Sequence, residues 1–195
     1  GQSMETTMAQ IACEVLGIDP ALVNVIHGDT ALTPYSTGTW GSRSAVMSGG
    51  AVASACERLG ERLKTIGAHL LQAPGEAVSI RDGHVVGPQG QVSFREIAHT
   101  WYLAPQNLPA DIHPDGLDLV AGYKPTVDTG TFSYASHACV VAVEPETGEV
   151  EILDYVIVED GGVLLNPMVV DGQIYGGTAQ GIGTALYEEM VYDEN

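Results

Sequence analysis

Thr37-Gly38-Thr39-Trp40-Gly41-Ser42-Arg43-Ser44 runs, with no proline to interrupt it, through a stretch of Ser, Ala and Gly as far as Leu71. Val52, Cys56, Leu59, Leu63, Ile66 and Leu70 alternate steps of four and three residues, which predicts one long helix over 44–71. The first half of that helix is built of small residues. Gly49-Gly50 is costly inside a helix, so a packing or ligand reason is expected there. The turn before it combines two glycines, the hydroxyls of Thr37, Thr39, Ser42 and Ser44, and one guanidinium. Such a turn suits an anionic group held at a helix start, because glycine lets the backbone approach and free N–H groups donate. It is equally compatible with a polar loop ending in a hydroxyl cap, and the pattern alone leaves both open.

Several nucleotide and nucleophile motifs are excluded. No Lys follows the last glycine, so this is not a Walker-type phosphate loop. The glycine spacing is wrong for a dinucleotide fingerprint. No Gly-x-Ser-x-Gly elbow occurs.

Outward from this turn the chain reads as an α+β domain, a small mixed sheet packed against one long helix and two or more shorter ones. Residues 3–16 form an amphipathic helix through Met8, Ile11, Ala12, Val15 and Leu16, with Ser3 as N-cap and Gly17 as stop. Leu22 to His27 reads as a short strand. Residues 76–95 read as small strands with turns at Asp82-Gly83 and Gln89-Gly90, followed by a helix over 94–102. Three prolines place a surface excursion at 104–116, and a sub-boundary is expected near 104–130. His137–Val143 and Val150–Val158 form a hairpin about Glu144-Pro145-Glu146-Thr147-Gly148. A Gly-rich helix follows over 169–188, with Val170, Ile174, Ile182 and Leu186 apolar. The end, Tyr192 to Asn195, reads as a strand running into a turn, and the chain as a piece of a longer protein.

Charge narrows the partners. Twenty-five acids against seven bases give −18, which disfavours nucleic acid and anionic membranes. No apolar run is long enough for membrane insertion. An anion here must be met chiefly by backbone dipoles. Cys13, Cys56 and Cys139 are distant from one another and set in apolar runs, as suits buried free thiols in a reducing, cytoplasmic compartment. The six histidines show no metal-ligand spacing.

Six motifs, in order, carry a resemblance: Gly1-Gln2-Ser3-Met4-Glu5-Thr6-Thr7; His27-Gly28-Asp29-Thr30; Tyr35-Ser36 with the Thr37–Ser44 turn; Glu159-Asp160-Gly161-Gly162; Asn166-Pro167-Met168; and Gly172-Gln173-Ile174-Tyr175-Gly176-Gly177. The chain resembles, over its whole length, the molybdopterin-binding large subunit of the xanthine oxidase family, in particular aerobic-type carbon monoxide, aldehyde and N-heterocycle dehydrogenases. The resemblance implies a molybdenum cofactor, in bacterial members usually molybdopterin cytosine dinucleotide. By motif position, Gly1, Gln2 and Ser3 should approach the pterin or pyrophosphate. Thr39, Trp40, Gly41, Ser42 and Ser44 should contact pterin and phosphates, and Asp160 and Asn166 the nucleotide end. The implied reaction is hydroxylation with oxygen from water. Its electrons would leave through an iron–sulfur small subunit to a medium subunit carrying FAD.

Two positions depart from the family. Ser3 stands where Gly is usual, and Gly161 where the carbon monoxide enzymes tend to carry Cys. The family's catalytic glutamate belongs to a Gly-Glu motif beyond Asn195, so no catalytic residue and no metal ligand is assigned in this chain. The isolated chain is expected to be inactive and to hold no molybdenum. The rival readings are a nucleotide-dependent transferase and a non-catalytic assembly domain.

Overall fold

The computed structural model describes residues 2–126 and 132–194. They divide into two compact units, residues 1–130 and 131–195.

The first unit contains α1 (Met4–Leu16), α2 (Ser44–Leu70), β1 (Ser79–Arg81), β2 (His84–Gly87), β3 (Gly90–Ser93) and α3 (Phe94–Leu103). The three strands form an antiparallel sheet in sequence order, with Ile80 opposite Val85 and Val85 opposite Val92. The period-two alternation puts Val85 and Val92 on the face turned toward the helices. There they meet Leu63, Ile66 and Ala68 of α2, Ile97 of α3 and Val78 in one core. Ile66, Val85 and Ile97 are fully buried.

The glycines of α2 have a packing explanation. A Cβ on Gly67 would lie 2.7 Å from Val85 Cβ, and one on Gly49 would lie 2.9 Å from Ile11 Cδ1. A side chain on Gly50 would collide with the Tyr123 ring. Small residues thus let β2, α1 and the chain near Tyr123 close on α2. α1 buries Met8, Ala12 and Leu16 and stops at Gly17, whose φ of 57° permits the left-handed turn. A complete capping box starts α3. Ser93 Oγ accepts from Glu96 N–H, and the Glu96 carboxylate accepts from Ser93 N–H at 2.8 Å. The Ser93 hydroxyl also donates to the Glu96 carboxylate at 2.6 Å, and this bond, followed by the one from Ser93 N–H, lowers the Glu96 pKa.

Residues 104–120 run along α2 and are held by its arginines. Arg58 donates to Val120 O at 3.0 Å. Arg62 donates to the carbonyls of His113 and Asp115, with its guanidinium 4.4 Å from the Trp101 ring centroid.

The second unit is a hairpin, β4 (Tyr134–Val143) and β5 (Val150–Asp160), followed by α4 (Pro167–Leu186). The strands pair antiparallel from Tyr134↔Asp160 to Val143↔Val150, with a bulge that leaves Leu153 outside the register. No residue of β4, β5 or α4 is buried.

The α+β class is as the sequence indicates, but the sheet expected to be mixed is instead two separate antiparallel sheets. Leu22–His27 is not a strand. Pro20–Leu22 makes a 3₁₀ turn capped by Asp19, and among the described residues no strand pairs with the residues after it. Residues 191–194 likewise form no strand. Cys139 is exposed rather than buried. Cys13 and Cys56 are half-buried, and desolvation raises both thiol pKa values.

Candidate cofactor cradle

The turn before α2 takes its shape from three demands on the backbone. Gly38 (φ 78°) and Gly41 (φ 59°) lie in the left-handed region, and so does Ser42 (φ 56°). For a residue with a Cβ this conformation costs about 1–2 kcal/mol, and such strain gathers where geometry serves a ligand. Nothing lies within 4 Å of a Cβ built on Gly38 or Gly41, so the loop's outer surface is open.

Arg43, not a hydroxyl residue, occupies the N-cap of α2, and no side chain caps the helix. The first intrahelical bond runs from Met47 N–H to Arg43 O at 2.9 Å. The amides of the first turn are orphan donors carrying the positive end of the helix dipole. Beside them is a cleft of about 260 Å³ lined by Tyr35, Thr37, Thr39, Arg43, Ser44 and Ser48, among others. No carboxylate lines it among the described residues, in a chain whose net charge is −18.

Of the residues expected at the site, Thr39 and Ser44 meet directly, hydroxyl to hydroxyl at 2.5 Å, on the wall of this cleft. Trp40, Gly41 and Ser42 form the exposed outer arc of the same turn. Gln2 and Ser3 stand at the start of α1. Ser3 is its N-cap, but at φ 55° its side chain makes no cap bond, contrary to the sequence expectation. Its left-handed backbone is the conformation that glycine adopts without strain, which gives the departure from Gly at this position a physical cost. Gly1 falls outside the described residues.

Asp160 and Asn166 belong to the second unit. Asp160 Oδ1 accepts from Gly162 N–H at 2.9 Å, and Asn166 Oδ1 accepts from Val169 N–H at 3.1 Å as the N-cap of α4. Both therefore shape backbone.

Two features were not anticipated. Ser48 lies one helical turn beyond Ser44 and adds its hydroxyl to the cleft; the i, i+4 spacing was the available signal. His27 Nε2 and Glu5 Oε1 are 2.8 Å apart, tying the start of α1 to the His27–Thr30 loop. The two motifs are distant in sequence, and neither one signals the pairing. Among the described residues, no three His, Cys, Asp or Glu side chains come together as a metal would require.

Glycines at positive φ, hydroxyls and an uncapped helix start together present neutral donors of the kind that suits an anionic group. The comparison with known proteins gives the chain a family. Residues 1–195 match the molybdopterin cofactor-binding domain, and the chain belongs to that family within the xanthine oxidase-type molybdenum enzymes. It is 37% identical to the nicotine 6-hydroxylase large subunit of Paenarthrobacter nicotinovorans, covering 99% of this chain and 24% of that protein. It is 32% identical to the carbon monoxide dehydrogenase large chain of Hydrogenophaga pseudoflava, again over 99% of this chain and 24% of the relative. The crystal structure of quinoline 2-oxidoreductase from Pseudomonas putida 86 superposes with a TM-score of 0.87 at 36% identity, covering all of this chain and 25% of that one. The chain thus spans about a quarter of the length of the relatives it matches.

The donor set fits a molybdopterin-type group. The pterin offers acceptors and donors to hydroxyls and backbone, and its phosphates are anions of the kind an uncapped helix start favours.

Proposed function

We propose that this chain is the part of a molybdenum hydroxylase large subunit that supplies cofactor-binding loops. The observation that carries the proposal is the uncapped start of α2 beside a cleft lined by hydroxyls and free of carboxylates. In this reading Gln2, Ser3, Thr39, Trp40, Gly41, Ser42 and Ser44 hold the pterin and phosphates. Asp160 and Asn166 set the backbone that meets the nucleotide end. The family match supports a molybdopterin group, and in this reading it is molybdopterin cytosine dinucleotide, the form usual in the bacterial members the chain resembles.

When bound, the group supplies the redox chemistry for inserting an oxygen atom from water into an electron-poor C–H bond. The residues of this chain bind and orient. The dipole of α2 offsets phosphate charge, the Thr39 and Ser44 hydroxyls donate or accept as the ligand requires, and the open face at Gly38 and Gly41 allows close approach.

Relatives named for nicotine and quinoline support an N-heterocycle as substrate, with an aldehyde as the alternative. Gly161, where Cys is usual in the carbon monoxide enzymes, weighs against carbon monoxide. The parent complex would add an iron–sulfur small subunit and an FAD medium subunit, in the cytoplasm. The name of another relative, a 6-hydroxypseudooxynicotine dehydrogenase complex subunit, supports such an assembly.

The test is direct. The purified holoenzyme should contain molybdenum and release cytidine monophosphate on acid hydrolysis in equal amounts. Ser42→Gly suits the left-handed backbone and removes the hydroxymethyl side chain. It should lower that occupancy if Ser42 donates, and unchanged occupancy would remove Ser42 from the donor set. Holoenzyme with neither molybdenum nor nucleotide overturns the proposal.

A further inference from the structure

Arg43 is the only basic residue among those described as lining the cleft, and the obvious expectation is that it pairs with a phosphate. Its contacts point elsewhere. Nε donates to Gly38 O at 3.0 Å, and Nη2 donates to the same carbonyl and to Thr37 Oγ1. The guanidinium carbon sits 4.3 Å from the Trp40 ring centroid. One side chain therefore grips residues 37, 38 and 40 from position 43 and ties the turn into a closed loop. The same habit recurs along α2, where Arg58 and Arg62 also donate to backbone carbonyls and Arg62 also stacks on a tryptophan.

We infer that Arg43 is a positioning residue that holds the cradle in shape, and that the anionic ligand is met by uncharged donors. The inference rests on the proposed cofactor role of the turn. Turning Arg43 onto a phosphate would release the Gly38 carbonyl, the Thr37 hydroxyl and the Trp40 face together. A planar fork makes these contacts at once, whereas an ammonium group keeps the charge without the geometry. Charge and shape are therefore separable by substitution.

The experiment compares Arg43→Lys and Arg43→Met with holoenzyme that keeps Arg43, and for the quenching measurement all three carry Trp101→Phe so that Trp40 is the sole tryptophan of this segment. Two quantities are read: molybdenum and cytidine monophosphate per subunit, and acrylamide quenching of Trp40 in cofactor-free protein. Both variants should lose cofactor affinity by about tenfold, the scale of a lost charge-assisted hydrogen bond. Both should also expose Trp40 to quencher more than Arg43 does.

Full occupancy in Arg43→Lys with loss in Arg43→Met would assign a charge role and overturn the inference. Trp40 quenching that is the same in all three proteins would overturn it as well, as would full occupancy in both variants. If the unchanged holoenzyme holds no pterin nucleotide, the cofactor reading is what fails, and the quenching comparison still decides whether Arg43 shapes the loop.

Discussion

The three-stranded sheet and the β4–β5 hairpin are written in similar residues and end in opposite environments. Val85 and Val92 in the sheet are 0% and 8% exposed, while Val156 and Val158 in the hairpin are 50% and 67% exposed. The difference lies in what covers them. α2 and α3 lie over one face of the sheet, and the sheet alternates as a half-buried surface should. The hairpin carries the continuous apolar run Ala138–Val143, which suits a strand covered on both faces, and none of its residues is buried. Apolar sequence therefore reports a capacity for burial, and the neighbouring element determines whether that capacity is used.

The largest expected effect sets these two regions against each other. Ile66→Ala removes a fully buried side chain from the core between α2 and the sheet. It should cost about 2–5 kcal/mol of stability in urea unfolding of the 195-residue chain. Val156→Ala in the half-exposed hairpin should cost under about 0.5 kcal/mol. Equal losses would mean that the hairpin is buried in solution and would break the comparison.

Glycine to alanine sharpens it further, because the same change should have opposite signs in two helices. At Gly67 the new methyl meets Val85 at 2.7 Å, and Val85 is fully buried with nowhere to move. Overpacking of this kind costs about 1–3 kcal/mol. At Gly176 in α4 nothing lies within 4 Å, so alanine should stabilise the helix by up to about 1 kcal/mol through propensity alone. Circular dichroism of the two variants against urea reads both signs. A destabilising Gly176→Ala would place an unseen neighbour against α4.

What was legible in the sequence follows from the range of the forces involved. α2 could be read from Ser44 to within a residue of its observed end because its apolar stripe is local and periodic. The hairpin could be read because Glu144-Pro145-Glu146-Thr147-Gly148 can only turn. Leu22–His27 was misjudged because a strand exists only with a partner, and partners are not local. At the cradle, the residue types were legible but their conformations were not. Serine before a helix normally caps through its side chain from an extended backbone. Ser3 and Ser42 instead take left-handed backbones at φ 55° and 56°, and Arg43 turns back onto its own loop. The Thr39–Ser44 contact and the Glu5–His27 pair likewise depend on chain reversals that no window of sequence contains.

The smallest expected effect concerns pH and again separates the units by how a helix begins. Ser3 makes no side-chain cap on α1, and the nearby Glu5 in its first turn is hydrogen-bonded to His27. That bond, then a backbone hydrogen bond, then the attraction of His27, hold the Glu5 carboxyl below its ordinary value of 4.5. A carboxylate with a lowered folded pKa contributes stability that is fully present above its ordinary value. The contribution fades as pH falls from there through the lowered value. The pair is exposed and screened by salt, so the effect belongs to the first turn of α1 and not to global stability. Acidification below about 4.5 should speed amide exchange at the start of α1, and Glu5→Gln should abolish that acid-side dependence. α4 starts at Asn166, an amide cap that does not titrate, and its first turn should exchange with no matching acid step. An acid step at α4 of the same size would show that both helix starts respond to the chain's overall charge, and the local role of Glu5 and His27 would fall.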